Sequence, residues 1–212
     1  MPFDHNDHYH RLLLRRIPEN CRRALDVGCG TGSFARELAG RGVEVDALDP
    51  AEAAIETARS LSLRSAHARQ IRWQQADITD TALSPGTYDY IACLASIHHV
   101  PFGTVEKLRE ALSPGGVLVI LGCYRESTFS DRLLSLAAVP ANALCRAVTW
   151  IRESFGWKQD ISRPSVTTRP LMTLPEISRS ARGLLPDSTI RRLLLWRYLL
   201  VYRKPLQEGV SW

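Results

Sequence analysis

The chain has 212 residues, 45% of them hydrophobic and 23% charged, with 27 Lys and Arg against 22 Asp and Glu for a net charge of +5. That length suits a single domain whose core needs no disulfide or metal staples, and the composition is ordinary for a globular protein. No run of about 18 apolar residues exists, so no transmembrane span is expected, and the polar, histidine-rich start lacks the pattern of a secretory signal.

Five cysteines (Cys21, Cys29, Cys93, Cys123 and Cys145) are scattered without paired spacing. A dispersed, odd set argues against a disulfide framework or a zinc site and for a reducing compartment, so the protein reads as cytoplasmic. The positive charge is mostly arginine, spread singly or in pairs such as Arg15-Arg16 and Arg191-Arg192. There is no basic tail and no aromatic-interleaved stripe of the kind that binds single strands, so a solvated basic surface is favoured over a nucleic-acid face.

The first ten residues, MPFDHNDHYH, hold His5, His8 and His10, half of the six histidines. After them, strand-like and helix-like segments alternate. Strands are expected at Arg23 to Val27, Val43 to Leu48, Ile71 to Gln75, Tyr88 to Leu94 and Val117 to Leu121. Helices are expected at Ser33 to Ala39, Ala51 to Ser60 and Val105 to Leu112, the last closed by Ser113-Pro114-Gly115-Gly116. Short connections between alternating elements mean βαβ units, hence a parallel sheet with helices on both faces. Beyond residue 124 the pattern changes. Ser130 to Phe155 reads as two apolar helices broken at Pro140, and Gln159 to Pro170 as a loop. Thr173-Leu174-Pro175-Glu176 reads as a capped helix start. The final block, STIRRLLLWRYLLVYRKP, could hold two antiparallel strands but has no hairpin turn signal.

The strongest signal is ALDVGCGTGSFARELA, where an apolar strand runs into Gly28, Gly30 and Gly32 and a helix follows at once. Glycines permit positive φ and remove the Cβ atoms that would block a ligand's approach. The helix start adds oriented N–H groups. A dinucleotide fingerprint would need a glycine where Ser33 stands, and a P-loop would need a lysine that is missing. The next strand ends at Asp49, followed by Pro50, and a carboxylate there can accept both hydroxyls of a ribose. Its plainer role is to cap the helix that follows. Glycine loop plus strand-end acid points to a nucleoside-bearing ligand at the switch point of an open sheet. Asp77 has a turn role as its alternative, Asp89 is expected to be structural, and Asp46 inside the second strand has no functional reading.

These residues carry a resemblance. LDVGCGTG (25–32), Asp49, QQADI, YDYIACLASIHHV (88–100), LSPGGVLVI (112–120) and WRYLLVYRKP together resemble the class I S-adenosylmethionine-dependent methyltransferases of the small-molecule, quinone-methylase-like group. The resemblance covers nearly the whole chain. It implies one Rossmann-like, doubly wound α/β domain: a seven-stranded, mostly parallel sheet with an antiparallel last strand. It also implies S-adenosyl-L-methionine as cofactor and S-adenosyl-L-homocysteine as product. Asp26 would act near the methionine amino group, Gly28, Gly30 and Gly32 would let the cofactor lie on the backbone, and Leu94 would offer its carbonyl. Asp49 and Pro50 would serve the ribose, and Asp77 and Ile78 the adenine.

Methyl transfer from a sulfonium is an in-line displacement by an activated donor, so alignment supplies much of the rate gain. A base is needed only where the acceptor must lose a proton. The candidates are His98 and His99, just past the fourth strand, with cofactor packing as their alternative role. No Asp or Glu follows them until Glu106, so a metal-dependent mechanism is not expected. By resemblance, residues 1–20 form a helix over the cofactor, with Tyr9 and His10 covering the methionine end, and residues 125–180 form the acceptor-recognition element. The acceptor is then small and hydrophobic, methylated at O, N or C by a monomer or homodimer, with room for weak membrane-surface contact through nearby arginines. The rival readings are a nucleic-acid methylase, which would carry a Pro-Pro-aromatic motif where LASI stands, and a cofactor-binding protein without transfer activity.

Overall fold

The computed structural model describes residues 9–63, 65–125, 170–193 and 197–206. A short helix α1 (His10–Leu14) is followed by β1 (Arg23–Val27), α2 (Ser33–Ala39), β2 (Glu44–Asp49), α3 (Glu52–Ser62), β3 (Ile71–Gln75) and β4 (Tyr88–Leu94). Then come α4 (Thr104–Ala111), β5 (Leu112–Cys123), α5 (Leu174–Leu184), β6 (Thr189–Arg192) and β7 (Arg197–Arg203). The strands form one seven-stranded sheet in the order β3-β2-β1-β4-β5-β7-β6. β1 pairs in parallel with β2 and β4, and β7 is antiparallel to both β5 and β6. The order turns at β1 and β4, and in open α/β sheets ligands gather at that switch point, outside the carboxyl ends of the strands.

Alternating side chains give the sheet two apolar faces. Leu25, Val27, Ile91, Leu118 and Ile120 pack with Val105 and Leu108 of α4 and Ile177 and Ala181 of α5. On the other face, Ala24, Ala47, Tyr90, Ala92 and Val119 meet Leu13 of α1 and Phe34 and Leu38 of α2. Small residues on that second face, Ala24, Ala47 and Ala92, let α2 sit close to the strands.

Most of the expected elements appear within a residue or two of their predicted limits. β5 is longer than expected: it begins at Leu112 and takes in the Ser-Pro-Gly-Gly turn, with a register shift against β4 between Tyr88 and Tyr90. The terminal block does form two antiparallel strands. The helix start at Thr173 is a full capping box: the Glu176 carboxylate accepts the Thr173 N–H at 2.7 Å. The helices expected between Ser130 and Phe155, the loop from Gln159, and His5 and His8 lie outside the described residues.

Two acids settle into structural roles at the amino ends of the strands. Asp89 accepts the Arg22 and Arg23 N–H groups at 2.9 and 3.2 Å and the Ser113 hydroxyl at 2.8 Å. Asp46, 7% exposed, takes the Arg23 guanidinium at 2.9 Å and the Tyr88 hydroxyl at 2.8 Å. A charge inside β2 is tolerated because it is paired and hydrogen-bonded.

Candidate functional site

The glycine loop leaves β1 and is tied to the tip of β2, where the Leu48 carbonyl accepts N–H groups from both Gly28 and Cys29 at 2.8 and 2.9 Å. Gly28, Gly30 and Gly32 have φ of 70°, 54° and 79°. A Cβ on Gly28 would come within 2.3 Å of the Ser96 Cβ, and one on Gly32 within 2.1 Å of the Trp73 ring. These two glycines are therefore required by the protein's own packing as well as by their backbone conformation. Ser96 donates to the Val27 carbonyl at 2.6 Å and so pins the loop after β4 to the end of β1.

Asp49 ends β2 and is 6% exposed. Its Oδ2 accepts the Gly30 N–H at 2.8 Å and its Oδ1 the Ala51 N–H at 2.9 Å, while its backbone carbonyl takes the Ala76 N–H. One carboxylate thus organises the glycine loop, the start of α3 and the chain leaving β3. Pro50 follows it, exposed at the strand tip.

Asp26 lies beneath the loop in β1, 1% exposed, and its Oδ2 has no hydrogen-bond partner among the described residues. Burial pushes its carboxyl up to about 7, with Asp49 adding to the rise, while His10 and the Ala35 N–H act the other way.

Asp77, exposed, accepts both the N–H and the hydroxyl of Thr79 at 2.8 Å on Oδ1, so it does hold a turn, and its Oδ2 takes no part in these bonds. Those Thr79 hydrogen bonds hold its carboxyl below the usual range. Ile78 is buried under this turn. The turn is clamped from α4 by Lys107, whose ammonium donates to the Ile78, Thr79 and Thr81 carbonyls at 3.0, 2.8 and 3.1 Å.

β4 ends at Leu94, half-buried opposite Leu121. Ala95 then takes φ of 52° and donates its N–H to the Leu121 carbonyl at 2.7 Å. Left-handed backbone at a residue other than glycine stores strain and occurs often at functional sites. The 3₁₀ turn Ile97–His99 follows, with the His98 and His99 rings 4.1 Å apart. His99 is exposed, whereas the His98 Nδ1 is buried without a partner among the described residues. Burial, with help from His99 and Arg197, lowers the His98 imidazole to about 4, so it is neutral at ordinary pH.

Tyr9 and His10 are both buried, at 8% and 4% exposed. The His10 Nδ1 meets the Glu37 Oε1 of α2 at 2.6 Å, and its ring sits edge-on to Phe34 at 5.0 Å. Glycine loop, acids and His98 all belong to the carboxyl ends of β1 to β4. Ser96, Trp73, Lys107 and Glu37 were not among the residues expected from sequence. Their partners are remote in the chain, and nothing local announces them.

The family model for a methyltransferase domain matches residues 24–116, which span the glycine loop, Asp49, Asp77 and His98. An uncharacterised methyltransferase of Mycobacterium tuberculosis is 34% identical over 212 residues, covering 97% of this chain and 98% of its own length. The chain belongs to the class I S-adenosylmethionine-dependent methyltransferases. A ubiquinone biosynthesis O-methyltransferase of Idiomarina loihiensis is 38% identical to this methyltransferase over 98 residues, 45% of this chain and 40% of that protein. Among solved structures, geranyl diphosphate C-methyltransferase from Streptomyces coelicolor superposes with a TM-score of 0.65 at 13% identity. That match covers 94% of the methyltransferase described here and 77% of the other chain, and it is a likeness of fold.

Proposed function

We propose that the protein binds S-adenosylmethionine across the carboxyl ends of β1 to β4, transfers its methyl group to a small, largely apolar acceptor, and releases S-adenosylhomocysteine. One observation carries the cofactor reading. Asp26 is a fully buried carboxylate with an oxygen that no described group satisfies. Leaving such an oxygen unpaired is costly, and a ligand with an ammonium group at one end supplies what is missing.

The remaining residues fit the rest of the ligand. Each Asp49 oxygen makes one protein hydrogen bond and keeps a lone pair for a ribose hydroxyl. Pro50 lines that edge. Asp77 and the Ile78 N–H serve the adenine, the Leu94 carbonyl serves the ammonium, and Gly28, Gly30 and Gly32 bring the backbone close. Tyr9 and His10 cover the methionine end, as part of a lid built from residues 1–20. The bound sulfonium supplies an activated methyl group, so what remains for the chain is alignment, worth on the order of 7–11 kcal/mol in favourable cases.

His98 is the residue we assign to the acceptor. Its neutral imidazole has a buried nitrogen with no partner among the described residues, able to accept the hydrogen bond that orients an acceptor hydroxyl or amine. An imidazole lowered to about 4 is a weak base, which suits an acceptor whose own proton is acidic or leaves late. His99 lies beside it, rings tilted by 37°, and helps keep it neutral. The apolar acceptor is supported by the leucine-rich sequence from Ser130 to Phe155, within the 125–180 segment that we assign to acceptor recognition, and by the ubiquinone biosynthesis O-methyltransferases among the relatives. The four described cysteines, Cys21, Cys29, Cys93 and Cys123, are free thiols, which fits a reducing, cytoplasmic setting.

Calorimetry with S-adenosylhomocysteine tests the reading. At 100 times its Kd the ligand should stabilise the fold by about 2.7 kcal/mol. No heat and no thermal shift at millimolar ligand overturns it.

A further inference from the structure

Among the described residues His10 is the most deeply buried histidine, and it is held at a junction of three elements. Its Nδ1 reaches the Glu37 carboxylate of α2 at 2.6 Å, with side-chain exposures of 5% for His10 and 40% for Glu37. Its ring packs on Phe34, also of α2. Asp26 of β1 lies near enough for the two charges to interact. Helix α1 itself has only five residues, far short of the roughly 12–15 that an isolated helix needs in water. It exists because it is docked. Leu13 and Leu14 are buried against the sheet, and the Leu13 carbonyl accepts the buried Tyr90 hydroxyl at 3.0 Å. The helix is thus fastened at its far end by Tyr90 and at its near end by the His10–Glu37 hydrogen bond.

This near-end fastening is unlike an ordinary surface ion pair, because the ring it holds is buried and lies close enough to Asp26 for the two charges to interact. Resting on the cofactor assignment above, we propose that Glu37 is a positioning residue: its hydrogen bond to His10 holds the N-terminal helix against α2. Docking of that helix and capture of the cofactor's ammonium by Asp26 thereby become one coupled event, joined by the His10 imidazole. Glu37 touches no part of the cofactor and acts only through His10.

The charges that face this junction are few. Glu37 has Arg11 of α1 and Arg41 beyond α2 beside it, and it stays ionised chiefly through its hydrogen bond to His10. Asp26 faces His10 from α1, Asp49 from β2, Cys29 from the loop, and Tyr90 and Cys93 from β4. Of these, only His10 can offer Asp26 a positive charge. When His10 is in place and protonated, ionised Asp26 is favoured against burial. When it swings away, the carboxyl titrates higher and the site loses its attraction for an ammonium at neutral pH. Below the carboxyl's midpoint, affinity for a cationic amine falls about tenfold per pH unit, so a displaced midpoint is visible as a pH-dependent loss.

The test is the Kd of S-adenosylhomocysteine from about pH 5.5 to 8 for wild type, Glu37→Gln and Glu37→Ala, with thermal melts confirming that each variant folds. Glu37→Ala should bind about tenfold more weakly near pH 6.5, the loss shrinking toward pH 8. Glu37→Gln, which keeps a hydrogen-bond acceptor, should recover most of the affinity. Amide exchange at residues 10–14 should slow on ligand binding in wild type and much less in Glu37→Ala. A loss of equal size at every pH, no loss at all, or ligand-independent protection of the helix overturns the role of Glu37. Failure of wild type to bind overturns the cofactor assignment instead, so the two failures are distinct.

Discussion

The Asp49 Oδ2 accepts the Gly30 N–H at 2.8 Å, so the acid at the tip of β2 grips the glycine loop before it grips any ligand. Ribose binding and helix capping looked like alternatives for this residue. The N-cap of α3 is Ala51, with no side-chain cap bond, so Asp49 turns the chain ahead of the helix without capping it and keeps lone pairs for a ribose. Its other oxygen holds the Ala51 N–H at the start of α3. Asp49→Ala should therefore do two things. It should weaken S-adenosylhomocysteine binding by roughly 1.5–3 kcal/mol, the worth of hydrogen bonds to a charged acceptor. It should also lower unfolding stability by about 1 kcal/mol through the freed Gly30 and Ala51 N–H groups. Calorimetry and urea unfolding measure the two separately, and an affinity equal to wild type would remove Asp49 from the ribose site.

Gly28→Ala tests whether the loop's glycines answer to the ligand or to the protein. The new methyl would sit 2.3 Å from the Ser96 Cβ, at a φ of 70°. Strain of that kind costs about 1–3 kcal/mol from backbone conformation alone, with overpacking added. The variant should lose stability without ligand present. Measured against Ser96→Gly alone, which already gives up the hydrogen bond to Val27, the same change should cost only the backbone component. Equal urea midpoints for Gly28→Ala and wild type would contradict this account.

The sheet was legible because alternation and punctuation are local. VGCGTG, Asp49-Pro50 and Ser-Pro-Gly-Gly mark strand ends, and the Thr173–Glu176 box marks a helix start within four residues. The hydrogen bonds and close contacts that organise the site are not local. Ser96 reaches Val27 across a sequence separation of 69, and Glu37 reaches His10 across 27. A serine in a loop or a glutamate on a helix looks like any solvated residue until its partner is placed. Asp46 shows the same limit from the other side: a lone acid in β2 had no reading until Arg23 and Tyr88 arrived beside it. The glycine pattern was read for ligand approach, but the packing of Ser96 and Trp73 against Gly28 and Gly32 could not be foreseen from spacing.

Lys107 supplies a second remote clamp. Its three hydrogen bonds fix the turn that carries Asp77 and Ile78. Lys107→Met keeps the aliphatic stem but frees three carbonyls to solvent, so stability should fall by about 1–2 kcal/mol. Affinity for S-adenosylhomocysteine should drop a fewfold, with that for 5′-methylthioadenosine dropping in proportion, because the fault lies at the adenine end. An undiminished affinity for both ligands would show that the turn does not need its clamp.

The His98 imidazole is lowered to about 4. An ordinary histidine base gives an acid limb near pH 6.5. At saturating cofactor, kcat should instead stay flat through that region if His98 accepts the acceptor's hydrogen bond. His98→Ala should cut kcat by about 100-fold, the lower end of acid–base contributions, and leave S-adenosylhomocysteine affinity within about twofold. His99→Ala should change much less, since that ring is exposed. Full turnover by His98→Ala would assign the acceptor contact elsewhere.

Asp26 gives the most direct conflict between stability and binding. Its carboxyl is raised from 3.8 to about 7, mainly by burial. For an acid whose folded value lies above its unfolded one, the stabilising contribution is complete below the unfolded value and is lost as pH rises through the folded value. Ligand-free protein should therefore lose about 1.4 kcal/mol of stability per pH unit from this group between roughly pH 4 and pH 7. Above that window its contribution should be constant. Asp26→Asn removes the titration, so the ligand-free variant should show a flatter pH profile and melt higher than wild type near pH 8, although its amide leaves a buried donor that trims the gain. The same variant should bind S-adenosylhomocysteine at least tenfold more weakly, since a neutral amide cannot compensate an ammonium. Melting curves from pH 5 to 8, with and without ligand, show both effects in one experiment. The outcome that would refute the assignment is a variant that melts lower at pH 8 and still binds as tightly as wild type, because Asp26 would then be a structural acid with no ligand to meet.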